Sequence, residues 1–385
     1  MVKPVSIGLA AGAAAGLVWV AARRWGRDQV GQIFDWDRAT AVALRAAASS
    51  PGMSREALAA SEAEYSEILS EITAPLSAYT GTDLRLADSE VRVLDRPEWI
   101  RTNVQNFREL LRPFEDLYRD TAASSRFDLP GITAVGRLIL SSEVGVLLGY
   151  LARRVLGQYD ISLLGARSTE PGKLYFVEPN IRAVQLQLGL PHRAFRVWLA
   201  LHEATHAHEF EGHPWVRDYL NATLEAYLHS VVDHLRGGQG SLKAFLARAV
   251  DRLAAGGTLL DALMTPQQRE LTSRLQALMC LLEGYSNHVM AAVGRTLVPS
   301  FAEIEQRIEA RSRRKSTGEL LFLRLTGLKM KMDQYRLGAA FVDHVERERG
   351  IAYLHQVWNG PENVPTELEI REPERWMRRM AQVAV

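Results

Sequence analysis

Residues 202–206 read His-Glu-Ala-Thr-His, and two histidines four apart constrain this chain more than any other feature of it. On an α-helix, side chains at i and i+4 stand on one face. His202 and His206 can therefore offer imidazole nitrogens to one metal ion, and Glu203, one position round, can reach a water beside that ion. The motif asks for an unbroken helix, an inward-facing stripe and a ligand from a second element. The helix is supplied locally. Pro191 suits a first turn, no Gly or Pro lies between His192 and Glu211, and Gly212 and Pro214 stop the run. Phe195, Trp198, His202 and His206 fall at i, i+3, i+7 and i+11, so the histidines extend an apolar stripe. The competing reading is a buried helix whose histidines satisfy backbone acceptors. It leaves Glu203 in need of a separate partner or a raised pKa.

Zinc is the expected ion, because catalytic zinc takes three protein ligands and keeps a fourth position open. The third ligand is not on the same helix. A metzincin-type extension needs Gly three and His six residues beyond His206, where this chain has Glu209 and Gly212. His213 comes one residue late, past the helix end. A second helix is better placed. Thr265-Pro266-Gln267-Gln268 reads as an N-cap, a first-turn proline and a capping-box Gln, and no Gly or Pro follows before Gly284. Glu283 sits there among Leu278, Met279, Leu281 and Leu282, where an unpaired carboxylate is costly. Asn287, four residues on, shares its face and is placed to hydrogen-bond a ligand histidine. The alternative for Glu283 is an ordinary exposed helix glutamate.

With His202, Glu203, His206, Glu283 and Asn287 in view, the chain resembles the gluzincin arrangement, although that pattern usually has Asp where Asn287 stands. More narrowly, it resembles an actinobacterial family of uncharacterised zincin-like hydrolases linked to biosynthesis of the deazaflavin coenzyme. The resembling residues include Phe34-Asp35-Trp36-Asp37, Asp95-Arg96-Pro97-Glu98-Trp99, Gly157-Gln158-Tyr159-Asp160 and Glu178-Pro179-Asn180. The block from His202 to Trp215, Leu282 to Tyr285, Gln334-Tyr335-Arg336 and Trp376 continue it. The resemblance implies a zinc-dependent peptidase-like domain acting on a peptide or protein. It says nothing of how the coenzyme link bears on chemistry.

The chemistry expected is hydrolysis, with Glu203 taking a proton from the attacking water and passing it to the leaving amine. The developing oxyanion needs a further donor, for which His288 and Tyr335 are the candidates, each with a purely structural alternative. His208 and His213 read as outer or surface groups. A di-iron carboxylate bundle would need the Glu-x-x-His element twice, and no second copy stands out. A catalytically silent zincin-fold module used for binding or assembly is the remaining rival.

A net charge of +1 gives no electrostatic case for nucleic acid. The single cysteine, Cys280, rules out an intrachain disulfide and reads as a buried small hydrophobe. Residues 1–27 are expected to form a membrane-anchor or signal-like helix, because Pro4 to Ala22 carries no charge and would span about 28 Å. Gly8, Gly12 and Gly16 form a small-residue face that could pair two copies. Arg23, Arg24 and Arg27 after the span favour a cytoplasmic main domain. The rest, 28–385, reads as one zincin-like domain of mainly α (α+β) class. Its helical N-terminal part runs to about 156, a metal-site core covers about 157–300, and a helical C-terminal part covers about 301–385. Leu174 to Val177 and Asp160 to Leu164 are the expected strands, a small sheet whose edge beside the metal helix would align substrate.

Overall fold

A computed structural model describes residues 33–48, 53–82, 91–124, 134–159, 172–236, 264–313 and 328–383. In chain order the elements are α1 (Trp36–Ala47), α2 (Arg55–Thr80), β1 (Val91–Leu94), α3 (Arg96–Ser124) and α4 (Ala134–Ala152). Then come β2 (Gly157–Tyr159), β3 (Leu174–Val177), α5 (Glu178–Leu188), α6 (His192–Glu211) and α7 (Pro214–Arg236). The last part holds α8 (Pro266–Leu297), α9 (Phe301–Arg313), α10 (Leu328–Arg349), α11 (Ile351–Leu354), two 3₁₀ turns, α12 (Glu367–Arg371) and α13 (Pro373–Val383). The mainly helical class with a small sheet is as expected.

Local chemistry explains the helix ends. Asp35 caps α1 by accepting from the Arg38 N–H, and Ser54 caps α2 through the Ala57 N–H. The capping box expected at Thr265 is present in full, with Pro266 in the first turn of α8. Strand β3 lies between its partners, parallel to β1 and antiparallel to β2. The expected Leu174–Val177 strand forms, whereas β2 starts at Gly157, and the expected Asp160–Leu164 strand lies outside the described residues. Strand β1 had no sequence forecast. Helix α3 runs through Pro113, because buried Leu110, Leu111 and Phe114 hold both halves against the core.

Helix α6 runs through the middle of the molecule, and every residue from Phe195 to Phe210 is buried. It packs on α2, α7, α8 and β2. Arg196 fixes its first turns: its guanidinium, 1% exposed, pairs with fully buried Glu178 of α5 at 2.5 Å and Glu64 of α2 at 3.3 Å. It also stands over the Tyr65 ring at 5.0 Å. On its other side α8 is crossed by α10 with almost no side chain between them. A Cβ added at Gly338 would overlap the Cys280 carbonyl, and one at Gly284 would overlap the Gly338 backbone. Glu283 lies next to this crossing.

The membrane-anchored placement, and the cytoplasmic orientation that went with it, are corrected here. Among the described residues no helix is long and apolar enough to cross a membrane. Helix α4, which carries Arg137 and Glu143, presses Gly145 and Gly149 onto the backbone of α1. Pro4 to Ala22, with the Gly8, Gly12 and Gly16 pairing face, lies outside the described residues.

Because both neighbours of Gly338 at the crossing are backbone atoms, they cannot yield as a side chain would. Gly338→Ala should lower stability by about 1–3 kcal/mol through overpacking, read as a lower urea midpoint at unchanged slope. An unchanged midpoint would show that the two helices part without penalty.

Candidate metal centre

The ligand set forms where α6 and α8 face each other. His202, His206 and Glu283 each present a donor atom, and the three atoms lie within 4.8 Å of one another. All three residues are buried: 1%, 7% and 1% exposed. The two imidazoles meet edge to face with centroids 4.7 Å apart, as i and i+4 spacing requires. His206 Nε2 stands 4.0 Å from Glu283 Oε1. Tetrahedral zinc with bonds of about 2.1 Å sets its donors roughly 3.4 Å apart, so the donors must draw together from separations of up to 4.8 Å to close the set. Two imidazoles and a carboxylate are the donor chemistry of catalytic zinc.

Glu203 completes the group. It is fully buried, and neither carboxylate oxygen has a hydrogen-bond partner of normal geometry. A buried carboxylate left so is costly. Burial first, and the Glu283 carboxylate second, hold its pKa well above the ordinary value; the nearby Tyr159 backbone amide opposes them. Strand β2 roofs this residue. A Cβ on Gly157 would lie 2.5 Å from Glu203 Oε1, so only glycine leaves room for the carboxylate. All three β2 residues are buried and β2 covers Glu203, while the strand expected at Asp160–Leu164, part of the sheet expected to align substrate, lies outside the described residues.

Two contacts around the ligands had no forecast. Glu209 Oε2 lies 2.7 Å from His206 Nδ1, and Ser286 Oγ lies 3.2 Å from His202 Nδ1. Glu209 is raised well above the usual carboxylate range by burial and then by Glu283. Its i+3 spacing from His206 was the available signal. Asn287 does not take the role expected of it, because its amide donates to the Glu283 carbonyl, 2.6 Å away on its own helix.

Of the two oxyanion candidates, His288 is engaged by other groups. His288 Nε2 meets Tyr79 OH at 2.7 Å and its Nδ1 meets Asp343 at 2.8 Å, so both ring nitrogens are engaged by α2 and α10. Tyr335 belongs to α10, about one turn before Gly338; its side chain lies outside the described residues. His208 is fully buried rather than on the surface, its ring against Tyr285 and Trp358. Burial, then neighbouring His213 and His355, press its pKa down to about 3. His213 stacks on Trp358 and is pressed down to about 4, chiefly by burial.

Comparison with known proteins comes to the same place. Residues 34–377 match the family model described as Zincin-like metallopeptidase. A crystal structure from Chloroflexus aurantiacus, described as a candidate hydrolase with a novel fold, is 39% identical, with a TM-score of 0.67. The match covers 90% of this chain and 99% of that one. No curated protein matches the chain.

A group whose folded pKa is raised stabilises the fold fully below its unfolded pKa, and that stability is lost as pH rises toward the folded value. For metal-free protein, the buried Glu203 carboxyl therefore becomes a liability above about pH 4.5. Metal-free Glu203→Gln should melt higher than metal-free wild type at pH 7.5, with the gap closing toward pH 4.5. Equal Tm values at pH 7.5 would mean that the carboxyl is not strained.

Proposed function

The chain belongs to the family of zincin-like metallopeptidases, and we propose that it is a zinc-dependent hydrolase that cuts peptide bonds. His202, His206 and Glu283 hold the metal in this reading, and Glu203 is the general base. The observation that carries it is the buried convergence of two imidazoles and a carboxylate beside a second carboxylate with no partner. When bound, zinc polarises the scissile carbonyl and brings the pKa of a water in its open position to about 7.

The rest falls to the chain's own groups. Glu203 takes the proton of the attacking water and hands it to the leaving amine. Its raised pKa matches that task, since a carboxyl poised closer to neutral can both accept and return a proton. Gly157 and the buried faces of α6 and α8 keep bulk water away from the transfer. We assign oxyanion support to Tyr335, since α10 crosses α8 beside Glu283. His288, bonded to Tyr79 and Asp343, acts only through that pair. The deazaflavin link rests on resemblance alone and assigns no chemistry to the site.

Purified protein should hold about one zinc per chain, and His202→Ala or Glu283→Ala should lose most of it. Glu203→Gln should keep the metal while hydrolysis of a peptide library falls by about 10²–10⁴. Tyr335→Phe should lower kcat more than it raises KM. Should zinc-loaded wild type cleave no peptide, the peptidase reading fails and the binding-module reading stands; equal activity in Glu203→Gln would remove Glu203 as the base. Full zinc retention in Glu283→Ala would remove that residue from the ligand set.

A further inference from the structure

We propose that Ser286 and Glu209 are positioning residues that fix the tautomers of His202 and His206, each acting from a different helix. This rests on the ligand assignment above, but it follows from hydrogen-bond counting. A neutral imidazole has one N–H and one lone pair. A metal can take only the lone pair, so the other nitrogen must be protonated and needs an acceptor.

His206 is settled by its acceptor. Glu209 Oε2 lies 2.7 Å from Nδ1, and a ring nitrogen that does not ligate must carry the hydrogen and needs such an acceptor. Nδ1 therefore carries the hydrogen, and the lone pair sits on Nε2, the atom that faces Glu283. His202 is settled by a second count. Ser286 Oγ lies 3.2 Å from His202 Nδ1 and 3.2 Å from the His202 backbone oxygen. The hydroxyl has one hydrogen, and the carbonyl can only accept. The hydrogen goes to the carbonyl, and the Oγ lone pair receives Nδ1–H. Nε2 is again left as the ligand atom.

Both partners are fully buried, so water cannot replace either one. They are not equivalent. The carboxylate makes His206 the more basic ligand, whereas the hydroxyl holds His202 and also ties α8 to the α6 backbone. Asn287, spent on the Glu283 carbonyl, takes no part.

Three measurements test this on the full chain. Nitrogen-15 NMR of metal-free protein at pH 7.5 should show both rings as Nδ1–H; an Nε2–H tautomer at His202 overturns the proposal, whether or not zinc binds. In chelator competition, Ser286→Ala should weaken zinc about 10–100-fold, Ser286→Thr should recover most of it, and Asn287→Ala should change nothing. Glu209→Gln, which keeps an acceptor without the charge, should lose less affinity than Glu209→Ala. The visible spectrum of the cobalt(II) form should shift in Ser286→Ala and stay put in Asn287→Ala. Wild-type zinc affinity in Ser286→Ala overturns the role of Ser286. If wild type binds no zinc yet shows both Nδ1–H tautomers, the positioning stands and the metal reading falls.

Discussion

Everything at this site depends on holding ionisable groups in a dry interior. Glu203, Glu209 and Glu283 are at most 1% exposed and stand close enough for Glu283 to raise the pKa of both others. Isolated carboxylates do not survive such burial; they gain a counter-charge or a proton. Of the groups facing these carboxylates, His206 meets Glu209 through Nδ1 and Glu283 through Nε2, and no cationic side chain pairs with Glu203 among the described residues. Three buried carboxylates thus share two imidazoles, an arrangement that a divalent cation would balance. That is the physical reason a divalent cation fits here better than a substrate-only pocket would.

Such a site must be rigid before the cation arrives, because the carboxylates repel one another and would spread if allowed. Three devices prevent this. Arg196 pins the start of α6 to α2 and α5 through Glu64 and Glu178. Ser286 ties α8 to α6 at His202. The Gly284–Gly338 crossing presses α10 onto the far side of α8 with backbone against backbone. Helix pairs that meet without intervening side chains have little freedom to slide, so the face carrying Glu283 is set from both sides.

The parts legible in the sequence were those written in short-range chemistry. The motif helix declared itself by period and by its proline and glycine boundaries, and the α8 start by a capping box that the structure reproduces in full. Glu283 was legible as a carboxylate in apolar company. What stayed hidden depends on residues far apart in the chain. Strand β1 is four residues long and exists by pairing with β3, some 80 residues on. Ser286 looks like any helix serine until α6 lies against it. Asn287 misled because sharing a face with a ligand does not fix a side chain's partner, and the carbonyl four residues back was nearer. The membrane reading failed differently: it extended a local composition at the N-terminus to a chain whose described apolar helices pack on one another.

Glycine at 157 shows how far the chemistry has shaped the fold. Glycine in a strand gives up packing and conformational entropy, and Gly157 opens a strand only three residues long. The position is nevertheless where a Cβ would strike Glu203 Oε1. The two residues that follow do the holding: Gln158 accepts from Trp99 and donates to Asn103 on α3, while Tyr159 joins Glu211 at the end of α6. With both of these anchored, the strand can place bare backbone over the carboxylate. A larger residue would displace the Glu203 carboxylate from its place. The weak point in the sheet is thus the condition for a carboxyl group that is buried, unpartnered and still free to take a proton.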